Sequence, residues 1–289
     1  MRQFVLPEDW DGRNDLRIEG GGARYLLRVL RLAPGDEFAG LDAQGRRRSL
    51  RVLEAGADWL LASVSRPLPD DLPISGLRDA RGSRGASAAR PRRNGAADKA
   101  AEAPASRIGL PRVVLVQSLA KAPAMDLVVR QAAEAGVARL IPLRARRSVG
   151  RAEAGREDAR VDRWERIVRE GLQQSGSAVH TRVERPVSVE ELADRLGPPS
   201  GTRLCLVLHE APLAQTGLHE YLDGAPNEVV LAVGPEGGFA PDELETLERA
   251  GFRPLLLPGA ILRTETAALY AVASVEIILS ERSSWTRSR

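Results

Sequence analysis

The chain has 289 residues, enough for two domains, and its content is 43% hydrophobic but only 4% aromatic, so Leu, Val, Ile and Ala must fill the cores. A single cysteine, Cys205, excludes a disulfide framework and a thiolate metal site within one chain, and it fits a reducing cytoplasm. The net charge of +3 is uneven: between Gly76 and Arg107 eight basic residues oppose three acids, which leaves −2 for everything else, so global basicity is no argument for nucleic acid.

In chain order, the opening MRQFVLPEDWDG lacks an apolar core of signal-peptide length, and no later run approaches a membrane span. A cytoplasmic protein with no membrane association is expected. Residues 1–70 read mainly as β. Arg2–Val5, Glu37–Leu41, Arg48–Leu53 and Trp59–Val64 are short strand candidates, and Asp42-Ala43-Gln44-Gly45 is a tight turn. One helix, Ala23 to Leu32, interrupts them. On it Arg24, Arg28 and Arg31 fall in one stripe, with Leu26, Val29 and Leu30 facing the other way. The stripe reads either as a solvated face or as a contact to an RNA backbone. A small barrel with one helix is the expected architecture.

Residues 71–108 contain the run GLRDARGSRGASAARPRRNGAADKAAEAPASR, rich in Gly, Ala, Ser, Arg and Pro and without aromatics. Such a stretch buries too little surface to offset its ordering entropy, so a disordered basic linker is expected. It is either a tolerated insertion or an arm that brushes RNA.

From residue 109 the pattern alternates. Strands are expected at Val113–Val116, Arg139–Leu143, Arg203–Leu208, Val229–Val233 and Leu255–Leu257. Helices are expected at Met125–Ala135, stopped by Gly136, at Val161–Gln174, at Pro241–Ala250 and at Thr264–Leu279. The last is nearly all apolar and is expected to be buried. Strand and helix alternation of this kind means an α/β domain with a mostly parallel sheet.

Two loops follow strands at their carboxyl ends, where parallel sheets place ligands. One is Gly234-Pro235-Glu236-Gly237-Gly238; the other runs from Pro258 to Thr266. Neither is a phosphate loop, because Gly-Lys-Ser/Thr and a strand-linked G-x-G-x-x-G are both missing. His180, His209 and His219 are scattered without ligand spacing, so no metal site is expected. G-x-S-x-G is absent as well. His209 after its strand reads as structural or as acid/base machinery, and Cys205 as a small core residue.

The segments VGPEGGF and ILRTETAALYAV closely resemble signature segments of the RsmE family, SPOUT-class enzymes that use S-adenosylmethionine to methylate N3 of a uridine in small-subunit (16S) ribosomal RNA. MDLVVRQAAEAGVARLIPLRARRSV, RWERIVREGLQQSG, LVLHE and RYLLRVLRLAPGDEF agree with the family in order and spacing. The chain departs from it at Ala23-Arg24-Tyr25, Ala122-Pro123 and Ser177-Ala178, positions on the RNA side.

The resemblance implies an α/β fold: a C-terminal SPOUT-type domain (109–283) with a trefoil knot and a mostly parallel sheet, plus a small N-terminal PUA-like β-barrel (1–70). It implies a homodimer acting on 16S ribosomal RNA or the small ribosomal subunit. It implies S-adenosylmethionine held by Leu208, His209, Gly234, Pro235, Gly237, Leu257, Pro258, Leu262, Thr264, Thr266 and Ala267, and RNA contacts from Arg24, Arg28, Arg31 and Lys121. The glycines leave backbone free to approach the ligand, and the leucines supply an apolar wall.

Chemistry is expected at Arg263, Glu265 and Glu236. Methylation of N3 requires loss of its proton, and the negative charge spreads onto the flanking carbonyl oxygens. Arg263 is the always-charged fork of donors inside a cofactor-loop motif. Either it stabilises that anion, while Glu265 or Glu236 positions the base or takes the proton, or it pairs with one of those glutamates to hold the knot. Two rivals stand beside this reading: a ribose 2′-O methyltransferase on the same fold, and a non-catalytic RNA-binding protein.

Overall fold

The computed structural model describes residues 3–7, 9–44, 46–67, 110–150, 157–197, 202–209 and 216–285. The expected linker, the turn residue Gly45 and the strand residue Arg2 lie outside them. The chain divides into two compact units, Met1–Ala105 and Ser106–Arg289.

In the first unit, strands β1 (Phe4–Val5), β2 (Asp15–Glu19), β3 (Glu37–Leu41), β4 (Arg47–Ala55) and β5 (Trp59–Pro67) form one sheet in the order β1-β3-β4-β5-β2. All pairs are antiparallel except β1 with β3. Alternation sends Leu16 and Ile18, then Leu50 and Val52, into a core shared with Phe4, Phe38 and Leu60. Two register shifts between β4 and β5 strengthen the local twist and curl the sheet. Among the described residues β1 and β2 do not pair with each other, so the sheet is an open half-barrel rather than a closed one. The turn at Asp42 forms as expected. Its fully buried carboxylate accepts the N–H groups of Gln44 and Arg46 and pairs with the guanidinium groups of Arg46 (3.0 Å) and Arg48 (2.9 Å). Arg48 also stacks on Trp10, 4.6 Å from the ring centre.

The helix of this unit differs from the expectation. It begins earlier, as α1 (Gly20–Arg24), and continues into a π-helical turn, Tyr25–Val29. Three leading glycines disfavour a helix, but burial of Ala23 and Leu26 against the sheet overrides them. The widened turn rotates Val29 outward, to 52% exposed, and the helix ends before Arg31, whose backbone is left-handed (φ 56°). Arg24 and Arg28 therefore share the helix surface, and Arg31 leaves the stripe.

In the second unit, β6 (Arg112–Ser118), β7 (Arg139–Arg144), β8 (Arg182–Val183), β9 (Val187–Ser188), β10 (Arg203–Leu208), β11 (Glu228–Val233) and β12 (Phe252–Leu255) form a sheet ordered β12-β10-β11-β6-β7-β8, with β9 also against β7. Every pair is parallel. The helices are α2 (Ala122–Ala135), α3 (Glu157–Ser175), α4 (Val189–Leu196), α5 (Leu218–Leu222), α6 (Pro241–Arg249) and α7 (Thr264–Trp285). Both faces of the sheet are covered. Val114, Val116, Val230 and Ala232 join Leu192, Leu196 and Leu247 of α4 and α6 in one core. Leu115 lies on the other face with Val128 and Ala132 of α2 and Ala268 and Val272 of α7. Gly136 ends α2 in the left-handed conformation (φ 79°) that glycine adopts without cost.

Two expectations need correction here. The strand expected at Leu255–Leu257 is Phe252–Leu255, because its partner β10 ends at Leu208, opposite Leu255. Leu256 and Leu257 are thereby released into a loop. Helix α7 is not buried all round. Ala268, Ala271, Val272, Val275 and Leu279 face inward at helical spacing, whereas Leu269 (38%), Tyr270 (45%) and Ile277 (57%) are exposed. Cys205 is a buried strand residue, and burial pushes its thiol up to about 11.

Candidate active site

Three parallel strands end side by side, and the loops leaving them enclose a pocket of about 210 Å³. Leu208 and His209 come from the end of β10. The turn after β11 supplies Gly234 to Phe239. The loop after β12 supplies Leu256, Leu257 and Gly259 to Leu262, and the first turn of α7 adds Thr264 and Ala267. The glycine loop is a turn closed by Gly238 N–H donating to Pro235 O (2.8 Å), with Gly238 left-handed at φ 68°. His209 N–H donates to Leu255 O (3.0 Å), so the strand ends stay in register up to the pocket.

The two motif loops are joined through Thr264. Its hydroxyl donates to Gly234 O (2.9 Å) and accepts from the amide of buried Gln117 at the end of β6 (2.8 Å). A second set of ties reaches over from the loop after β7. Buried Glu243 accepts Ala240 N–H with one carboxylate oxygen (2.8 Å) and Arg146 N–H with the other (2.7 Å). Arg146 pairs with Asp242 through both terminal nitrogens, and this hydrogen bonding holds the Asp242 carboxyl below its ordinary value. Arg147 Nη1 donates to Gly237 O (2.7 Å) and lines the pocket.

The expected cofactor residues all line the pocket except Pro258 and Thr266, both exposed. Of the expected catalytic residues, Glu236 is on the lining and exposed; Arg263 and Glu265 are not on it. Among the described residues Arg263 is exposed and forms no ion pair with Glu236 or Glu265. Lys121 is exposed where the chain enters α2. In the other unit Arg24 donates to Gly20 O (3.4 Å), Arg28 reaches Asp58 (3.4 Å), and Arg31 is exposed.

A Cβ on Gly237 would meet the Arg147 stem at 3.5 Å, an ordinary contact, so that glycine faces Arg147 rather than empty ligand space. Arg147 itself was missed by sequence reasoning. It stands in the family-like run ending RARRSV, which was given no role, and its place just past the carboxyl end of a parallel strand, β7, is the signal that could have assigned one. Among the described residues no group of three or more His, Cys, Asp or Glu stands together as a metal site, and no helix is long and apolar enough to cross a membrane.

The parallel sheet thus carries, at its carboxyl edge, a pocket built of glycine-rich loops. The chain belongs to the RNA methyltransferase domain family, which it matches over residues 109–276. Its curated relatives include the ribosomal RNA small subunit methyltransferase E of Synechocystis, 28% identical over 88% of this chain and 70% of the relative. The protein of the same name from Mycobacterium bovis is 34% identical over 59% of this chain and 64% of the relative, just under two thirds of its length. These matches bear out the RsmE resemblance carried by the two loops. The fold is shared with the ribosomal RNA small subunit methyltransferase E of Neisseria gonorrhoeae, solved bound to S-adenosyl methionine (TM-score 0.72, 23% identity, 96% of this chain and 98% of that one). It is shared too with a Legionella pneumophila protein solved in complex with the bound cofactor SAM (TM-score 0.70, 20% identity, 95% and 96%).

Proposed function

We propose that the chain is an S-adenosylmethionine-dependent methyltransferase acting on N3 of a uridine in 16S ribosomal RNA. The observation that carries this reading is the pocket at the ends of β10, β11 and β12, built from the two loops whose wording resembles the RsmE family. Its residues fit the cofactor. Leu208, Leu257 and Leu262 offer an apolar wall to a flat ring. The backbone N–H groups of Leu257 and Leu262 make no hydrogen bond among the described residues, so they are available to ring nitrogens or ribose hydroxyls. When bound, the cofactor supplies a methyl carbon whose bond to sulfur breaks as its bond to N3 forms, the sulfonium becoming a neutral sulfide.

The chain's own residues hold the base and handle its proton. N3 lies on the pairing edge of uracil, so the target is unpaired and turned into the pocket. Glu236, on the exposed side of the lining, accepts the N3 proton. Arg263, exposed and unpaired beside the pocket, meets RNA from the rim, with Glu265 beside it. Lys121, Arg24, Arg28 and Arg31 belong to the same RNA-facing role.

The finer architecture is part of the proposal. Residues 1–70 act as a PUA-like RNA-binding domain, 71–108 as a linker and 109–283 as a knotted catalytic domain. Support for the knot is the path after β12: the chain leaves one sheet edge, and α7 starts pinned to Gly234 of β11's loop and Gln117 of β6. Support for a homodimer is the exposed apolar side of α7 at Leu269, Tyr270 and Ile277.

The test is methyl transfer by the purified protein from labelled S-adenosylmethionine to small subunits of cells lacking the gene, with the modified nucleoside identified by mass spectrometry. N3-methyluridine is expected. A 2′-O-methylated nucleoside, or no transfer, overturns the reading.

A further inference from the structure

We propose that Arg147 is the oxyanion-binding residue of this site: its guanidinium stabilises the negative charge that a uracil ring acquires on its carbonyl oxygens when N3 loses its proton. The inference rests on the methyltransferase reading above and names the group that makes the transfer possible.

Among the described residues, Arg147 is the one Lys or Arg that lines the pocket; Arg263, the cation singled out by motif, does not. The Arg147 side chain is anchored. Its Nη1 donates to Gly237 O at 2.7 Å, and its stem packs over Gly237. A guanidinium has five N–H donors in a planar fork, so one bond to a carbonyl leaves most of them for a ligand. The backbone beneath it is also held. Arg146 N–H binds Glu243, and Arg146 pairs with Asp242, fixing the β7 loop to the start of α6.

Position decides which anion this is. The apolar wall of Leu208, Leu257 and Leu262 belongs to β10 and the loop after β12. Arg147 enters from β7, on the other side of β11 and β6 in the sheet. It holds the same turn that carries Glu236, whose neighbour in sequence is Gly237. A carboxylate and a guanidinium on one turn suit a group that gives up a proton while gaining negative charge. In the balanced step the N3–H bond breaks and its proton passes to Glu236, the charge spreads to the two flanking carbonyl oxygens, and N3 takes the methyl group. A donor group anchored in the pocket before the charge develops needs less reorganisation during the reaction.

The experiment compares R147K, R147Q and R147A with wild type in single-turnover methylation of RNA. S-adenosylhomocysteine affinity by calorimetry serves as the measure of loop integrity. Lysine preserves a charge and a donor for Gly237 O but not the fork. The expected result is S-adenosylhomocysteine affinity within about threefold of wild type and a transfer rate lowered on the order of 100-fold in all three variants. A second substrate carries 5-fluorouridine at the target, whose N3 proton is more acidic. It should restore the variants at least about tenfold more than it accelerates wild type, because a more stable anion depends less on the missing donor. The proposal is overturned by near-wild-type transfer in R147K, by a rate loss that follows a loss of cofactor affinity, or by equal acceleration of wild type and variants by the fluorinated substrate. Uniform weakening of RNA binding with transfer intact assigns Arg147 to a phosphate and overturns it too. Absence of transfer by wild type would instead overturn the function on which the proposal rests.

Discussion

The amide of Gln117 donates to the hydroxyl of Thr264 across 2.8 Å, although the two residues are 147 positions apart in the chain. The same hydroxyl donates on to Gly234 O, so one small side chain joins the end of β6, the glycine loop and the start of α7. Thr264 is 6% exposed and Gln117 fully buried, which makes the junction costly to break.

Thr264→Val keeps the shape and removes both bonds. It should lower stability by about 1–3 kcal/mol, since the buried Gln117 amide loses an acceptor and Gly234 O its donor, and weaken S-adenosylhomocysteine binding. Thr264→Ser should retain most of both. Chemical denaturation and calorimetry on the pair test this, and equal behaviour of Val and wild type would remove the junction from the site.

The glycine loop separates two kinds of glycine. Gly238 is left-handed at φ 68°, where a Cβ costs roughly 1–2 kcal/mol. Gly237 has no such backbone, and its added Cβ meets only the Arg147 stem. Gly238→Ala should therefore lower stability and cofactor affinity, and Gly237→Ala should stay within a few-fold of wild type. Calorimetry showing the reverse order would contradict the turn geometry.

Arg146 and Asp242 give a signed pH dependence. Hydrogen bonding from Arg146 depresses the folded-state value of the Asp242 carboxyl, so its contribution is present above the unfolded value, roughly pH 4, and is lost as pH falls through the folded value. The stability difference between wild type and Asp242→Asn should be constant from neutral pH down to about pH 5 and should shrink below about pH 4. Denaturation curves across this range check it; a difference that grows in acid would be inconsistent with the pair.

Cys205 is buried in β10, and its thiol is pushed up to about 11, so little thiolate is present at pH 8. Because it is the only cysteine in the chain, a thiol-specific reagent should react slowly with the folded protein and stoichiometrically after unfolding. Rapid labelling of the native state would show that the strand opens.

Leu269, Tyr270 and Ile277 mark the side of α7 that would meet a second copy. Tyr270→Glu together with Ile277→Glu should convert a sedimenting dimer to a folded monomer. A wild-type protein that sediments as a monomer would end the dimer proposal.

Both cofactor loops were legible because their signals are local. Glycines and proline after an apolar run fix Gly234–Gly238 as a loop, and β10 ends at Leu208 as its composition suggests. What stayed hidden depends on distant partners. The limit of β12 is set by β10, not by the leucines beyond Leu255. Arg147 meets Gly237 only because the sheet brings β7 and β11 to the same edge. The π turn after α1 has no composition of its own; its one buried residue, Leu26, packs into a core assembled from distant strands. Helix α4, absent from the sequence reading, was readable: Ser188 and Glu191 form a capping box ahead of Val189, Leu192 and Leu196.

The central place of β11 has a consequence for synthesis. β6 pairs with β7 as soon as both exist, but its other edge is reserved for β11, made after α2, α3, α4 and β10. At about 5–20 residues per second, a nascent chain carries that open apolar edge for on the order of ten seconds. During that interval Val113 to Val116 offer an unpaired strand to any neighbour. Slowed translation between Ser118 and Glu228 should therefore lower the yield of soluble protein more than an equal delay after Val233.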